Sequence, residues 1–85
     1  MKHCEIKVGE TYYYLGDKDY RLIALSVGDE VVNMGWNTYA KTVRFRREFY
    51  SKGMDSQVVT ISFGETPINN DWSEVEFTND RIREL

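Results

Sequence analysis

The sequence predicts an all-β domain, mainly antiparallel: a small barrel or strongly curved sheet of five to seven strands with a short C-terminal helical turn. Three observations predict it. Apolar residues recur at alternate positions over short windows, the pattern of half-buried strands. Gly, Asp and Asn clusters punctuate these windows at short intervals. No window carries the longer apolar periodicity of an amphipathic helix. A length of 85 residues bounds the chain to one domain, residues 1–85.

Residues 2–8 (KHCEIKV) alternate loosely and are expected to form a first strand burying Cys4, Ile6 and Val8 against outward His3, Glu5 and Lys7. Thr11–Leu15 is rich in β-favouring residues and predicts a second strand. A polar turn over 16–19 leads into Tyr20–Val27, which is apolar on both faces near its middle and is expected to be central in the sheet. Gly28-Asp29 suits a type II′ hairpin loop. That hairpin pairs Val27 with Glu30, Leu25 with Val32 and Ile23 with Met34. Gly35–Thr38 reads as a loop or bulge.

The stretch Tyr39–Phe63 reads as two long strands joined by a short turn. Pairing Ser51 with Gln57 sets Phe45 against Phe63 and Phe49 against Val59, with Val43 and Ile61 on the same side. A slip of one residue would mix charge and core on that face, so burial selects this register. It needs a loop of about three to five residues around Gly53, which can supply a bulge. Pro67 argues against a central strand in Glu65–Asp71, which is expected to be a loop. Trp72–Phe77 alternates, with Ser73, Val75 and Phe77 opposite Trp72, Glu74 and Glu76. In the terminal TNDRIREL, Thr78 is expected to cap a helical turn stapled by Phe77 and Ile82. The architecture expected first is an SH3-like or similar small barrel; a curved open sheet completed by dimerisation is the alternative.

Composition narrows the function. The net charge of −3 and pI near 5.1 make this an acidic protein with no global attraction to nucleic acid or anionic membranes. One cysteine, Cys4, forbids an intrachain disulfide and fits a reducing compartment. No apolar run is long enough to span a bilayer, and the N-terminus lacks a signal-peptide core, so a cytoplasmic location without membrane partners is expected. His3 and Cys4 are the only His and Cys, and in a strand they would point apart. No metal, cofactor or nucleophile site is therefore expected. Residues 65–80 hold Glu65, Asp71, Glu74, Glu76 and Asp80 with no Lys or Arg. Glu74 and Glu76 share one strand face and read as a solubilising surface rather than a catalytic pair.

The basic residues are concentrated. Lys41, Arg44, Arg46, Arg47 and Lys52, against Glu48 alone, give residues 41–52 a net +4 and leave −7 elsewhere. In the selected register Arg44 and Arg46 face outward with Tyr50 nearby. Such a pair can grip phosphates, stack on a base or meet an acidic protein surface. Alternatively it pairs with the chain's own Glu74 and Glu76 as a cross-strand ladder. Arg47 falls on the apolar face between Phe45 and Phe49. There it marks a bulge, snorkels its stem over the core edge, or enters an interface. Trp36 and Trp72 are either exposed anchors or plugs at the ends of the barrel.

These residues lead to a non-enzymatic protein-interaction module, an adaptor or inhibitor of a larger assembly, with self-association to a homodimer expected alongside. It would bind its protein partner through Lys41, Arg44, Arg46, Tyr50 and Lys52. Arg47, Trp36, Trp72, Glu74 and Glu76 are the interface candidates. A nucleic-acid or nucleotide binder using Arg44 and Arg46 with stacking tyrosines is the second reading. An enzyme built on the acidic segment is the third.

Overall fold

A computed structural model describes residues 1–85. Seven antiparallel strands form one sheet, and the only helix is a single 3-10 turn at His3–Glu5. The strands are β1 (Thr11–Tyr14), β2 (Tyr20–Val27), β3 (Val32–Gly35), β4 (Thr38–Phe49), β5 (Gln57–Ile68), β6 (Asp71–Thr78) and β7 (Ile82–Glu84). Their order is β6-β5-β4-β2-β1-β7, with β3 attached to β4. Strand pairing does not close the path between β6 and β7.

β4 organises the sheet. Its C-terminal half pairs with β2, from Val43 opposite Val27 to Phe49 opposite Tyr20. Its N-terminal end pairs on the same side with β3, and its other side pairs with β5. The inward face is aromatic and aliphatic: Tyr12, Leu22, Ala24, Val43, Phe45, Phe63 and Ile82 pack with Ile6 in one buried cluster. Phe45 meets Tyr12 edge-on, and Phe63 meets His3 in the same way. Leu25 is an extra residue in β2, because the partners step from Ala24–Phe45 to Ser26–Arg44. Such a bulge moves the inward positions of β2 from even to odd numbers, so that Val27 returns to the core side.

Several sequence expectations are corrected. The N-terminal segment is not a strand. His3 is buried (6% exposed), whereas Cys4 is exposed and Val8 is 62% exposed. The 3-10 turn is held by the Glu5 side chain accepting from the Lys2 amide at 2.7 Å, and it projects His3 toward the Thr42 carbonyl, 3.2 Å away. Gly28-Asp29 joins no hairpin, since β2 and β3 lie in line along β4 and never pair. The Gly28 amide instead donates to the Thr42 carbonyl at 2.9 Å. The apolar alternation of Val32 and Met34 is not a core face, because both are exposed.

The β4–β5 pairing keeps the expected facing but slides by four residues. Phe45 lies opposite Val59 and Phe63 opposite Lys41. The last pair is Arg47–Gln57, and a seven-residue loop, 50–56, joins the two strands in place of the expected short turn. Phe49 is held by β2 instead, with its ring 5.7 Å from that of Tyr20. Residues 65–68 are strand rather than loop. Pro67 is tolerated because β4 pairs with β5 only as far as Gly64, so Pro67 has a partner strand on one side alone. The reversal occurs at Asn69-Asn70, both left-handed (φ 52° and 61°), as a two-residue type I′ turn requires. The C-terminal helical turn is absent. Asn79 accepts from the Arg81 amide through its side chain, turning the chain so that Ile82–Glu84 pairs with β1 as β7. Ile82 is still the buried anchor of that segment.

Candidate functional site

The outward side of β4 carries Arg44 and Arg46, both exposed. Arg44 stands between Ser26 and Thr60 of the neighbouring strands, and Arg46 between Ile23 and Val58. Neither makes an ion pair; the two ion pairs of the molecule are Arg21–Glu48 at 3.0 Å and Lys2–Glu76 at 3.2 Å. Glu48, the one acid within the basic stretch, is thus engaged by Arg21, which donates to it through both Nε and Nη2. At i and i+2 on one face, the Cα atoms of Arg44 and Arg46 are about 7 Å apart. Both arginines are displayed on a strand paired on both sides, so their backbone is fixed.

The cross-strand ladder with Glu74 and Glu76 does not form. β5 lies between β4 and β6, and Glu76 is opposite Thr66 while Arg44 is opposite Thr60. Six residues of strand separate those rows by about 20 Å. Glu76 is used elsewhere. It holds Lys2 across the Lys2–Thr78 bridge, and its hydrogen bond and charge raise the Lys2 pKa above the ordinary lysine value. Glu74 is exposed and unpaired.

The remaining cations are dispersed. Lys41 shares the inward row with Phe63, and its ammonium lies 5.3 Å from the Phe77 ring centroid, on the face opposite Arg44. Lys52 lies in the exposed 50–56 loop. Tyr50 lies past the end of β4, with its amide donating to the Asp19 carbonyl at 2.9 Å. Tyr50 lines an open groove with Arg21, Glu48 and Met54 rather than a platform beside Arg44.

Arg47 is the residue in which the sequence pattern and the structure meet most closely. It lies on the apolar side opposite Leu22, and its guanidinium stacks 5.2 Å from the Tyr20 ring and 5.3 Å from the Phe49 ring. One terminal nitrogen donates to Gln57, while its buried Nε has no partner. No bulge falls at Arg47, since its pairings with Leu22 and Gln57 continue the registers of β2 and β5 without a shift. Burial raises the Tyr20 pKa, and the hydrogen bond that Tyr20 donates to Asp17 at 2.6 Å raises it further.

Trp36 and Trp72 plug nothing. Trp36 is 99% exposed at the β3–β4 turn, and Trp72 is 67% exposed near the start of β6. Sequence reasoning missed the groove lined by Met34, Tyr39 and Trp72, although the charge-free run Val31–Ala40 was visible. No helix is long and apolar enough to cross a membrane. No protein-family model, curated protein or solved structure matches this chain.

Proposed function

We propose that the chain is a non-enzymatic protein-interaction module, an adaptor or inhibitor of a larger assembly, that docks an acidic protein surface on the outward side of β4. One observation carries the reading: Arg44 and Arg46 stand exposed on a doubly paired strand with no carboxylate of their own chain. Guanidinium groups of this kind form bidentate bonds to carboxylates, and Arg is enriched at binding hot spots. Their flanking residues Ile23, Ser26, Val58 and Thr60 carry no charge, so a partner meets little competing electrostatics. The architecture we read behind this face is a partly opened, SH3-like curled sheet, in which the Asn79–Arg81 turn brings the chain from β6 directly into β7. The acids of β6 support a non-enzymatic role. Glu74 is exposed and unpaired, and Asp71 is bound to Ser73.

A nucleic-acid or nucleotide ligand is the weaker reading, because no aromatic side chain flanks the arginine pair for base stacking. The experiment compares affinity purifications of tagged wild type and Arg44→Glu/Arg46→Glu, with fluorescence anisotropy on a single-stranded oligonucleotide at about 50 and 200 mM salt. The reading expects an acidic protein retained by wild type and lost by the folded variant, with negligible oligonucleotide binding. Salt-sensitive oligonucleotide binding that the variant abolishes would favour the second reading and overturn the first.

A further inference from the structure

One end of the molecule consists of two β-arms, the β3–β4 hairpin and the outer half of the β5–β6 hairpin. The structure as a whole is elongated, 47 Å by 22 Å by 21 Å. No residue from Val31 to Ala40 is charged, and Val31, Val32, Met34, Trp36 and Tyr39 are all exposed. Trp36 is the most unusual of them. It occupies a left-handed backbone position (φ 53°) beside left-handed Asn37 (φ 57°), a conformation that bulky side chains avoid and that hairpin turns normally assign to Gly, Asn or Asp. At 99% exposure its indole contributes nothing to the core of its own chain. Between the arms lies a groove of about 300 Å³, lined by Met34, Tyr39, Ala40, Gly64, Glu65 and Trp72 among others.

We propose that this end is a two-fold interface between two copies of the chain, each inserting Trp36 into the groove of the other. A projecting indole and an open apolar groove on one surface are self-complementary, as an isologous contact requires. The area is sufficient. The two tryptophans expose on the order of 400 Å², taking about 250 Å² for a full indole side chain. With Val31, Val32, Met34 and Tyr39 added, the patch approaches the roughly 800 Å² per partner of a standard stable interface.

Charge selects the second copy and this end. Each chain carries −3, so self-contact needs a neutral surface, and the β3–β4 arm is that surface. The free edge of β6 is unsuitable, because pairing two copies there would bring the acids Asp71, Glu74 and Glu76 of both chains together. Backbone pairing along the edge of β3 is also disfavoured, since the partners step from Asn33–Tyr39 to Gly35–Thr38 and Met34 is bulged. The contact is therefore made by side chains. Glu65 supplies an acceptor for the incoming indole N–H. The proposal does not depend on the acidic-partner reading, because Arg44 lies about 17 Å further along β4 than Tyr39.

The test is sedimentation equilibrium of the purified full chain between about 1 µM and 1 mM, with circular dichroism to confirm folding. A monomer–dimer equilibrium is expected, the dimer having twice the 10.0 kDa of one chain. Trp36→Ser removes the projecting group from both halves and should raise the dimer dissociation constant by at least about 100-fold. Gly64→Val attacks the same contact from the other side. A Cβ at Gly64 meets nothing within 4 Å, so the monomer accepts valine while the groove fills. This variant should weaken the dimer comparably. A monomer throughout the range, a dimer indifferent to both variants, or a dimer sensitive to only one would each overturn the proposal.

Discussion

Replacing Arg47 by Met and by Ala separates the two parts of its side chain. The guanidinium stacks on Tyr20 and Phe49 and bonds Gln57, while its buried Nε is unpartnered. Two cation–π contacts at about 0.5–1 kcal/mol each and one hydrogen bond at about 0.5–1.5 kcal/mol favour the native residue. The orphaned donor costs about 1–3 kcal/mol. These terms nearly cancel, and Met keeps an apolar stem of similar reach over Leu22. Arg47→Met should therefore stay within about 1 kcal/mol of wild type. Arg47→Ala also gives up the stem, two to three methylenes at about 0.8 kcal/mol each, and should be about 2 kcal/mol less stable than Arg47→Met. In urea, with a slope near 1 kcal/mol per molar for a small domain, the two midpoints should separate by about 2 M. Coincident midpoints for the two variants would refute the stem argument and assign the role of Arg47 to its charge.

Three further outcomes follow from single contacts. Tyr12→Phe removes the hydroxyl that accepts from the Lys7 amide at 2.9 Å, and should cost about 1–2 kcal/mol with faster hydrogen exchange at Lys7. Gly28→Ala places a Cβ 3.1 Å from the Thr42 carbonyl oxygen and hydroxyl, so overpacking of about 1 kcal/mol is expected in thermal unfolding. A far larger loss would contradict the ordinary backbone geometry at Gly28. Asp71 accepts from the hydroxyl and amide of Ser73, which lower its pKa below the ordinary 3.8. A depressed carboxylate pKa adds stability above the unfolded value, and this is lost as pH falls through the folded one. The melting-temperature gap between wild type and Asp71→Ala should therefore be full near neutrality and close below about pH 3.8; a gap independent of pH would contradict the assignment.

The sequence made facing legible but not translation. Alternation in Val43-Arg44-Phe45-Arg46 placed the phenylalanine inward and both arginines outward, because only one parity avoids burying charge. Sliding β5 by four residues preserves that parity, so burial cannot choose between the two registers. The choice is made by β2, which claims Phe49 through Tyr20, a contact between strands far apart in sequence. The Gly28 hairpin misled for a related reason. Val32 and Met34 alternate as core residues do, yet they lie exposed on an arm, where apolar character reports a surface rather than a core. The bulge at Leu25 had no local signal. At the candidate site, the outward arginine pair was readable, while its freedom from carboxylates was not. That freedom follows from β5 separating β4 from β6 and from Lys2 engaging Glu76.

The central claim, that an acidic protein docks on the outward side of β4, is tested most directly by site-specific photo-crosslinking. A photoreactive residue replaces Thr60, which stands beside Arg44, and in a second protein replaces Lys18 in the exposed β1–β2 turn. The prediction is one acidic protein captured from position 60, not from position 18, and lost when Arg44→Glu/Arg46→Glu is added to a folded chain. Equal capture from both positions, or capture at position 60 that survives the charge reversal, would contradict it.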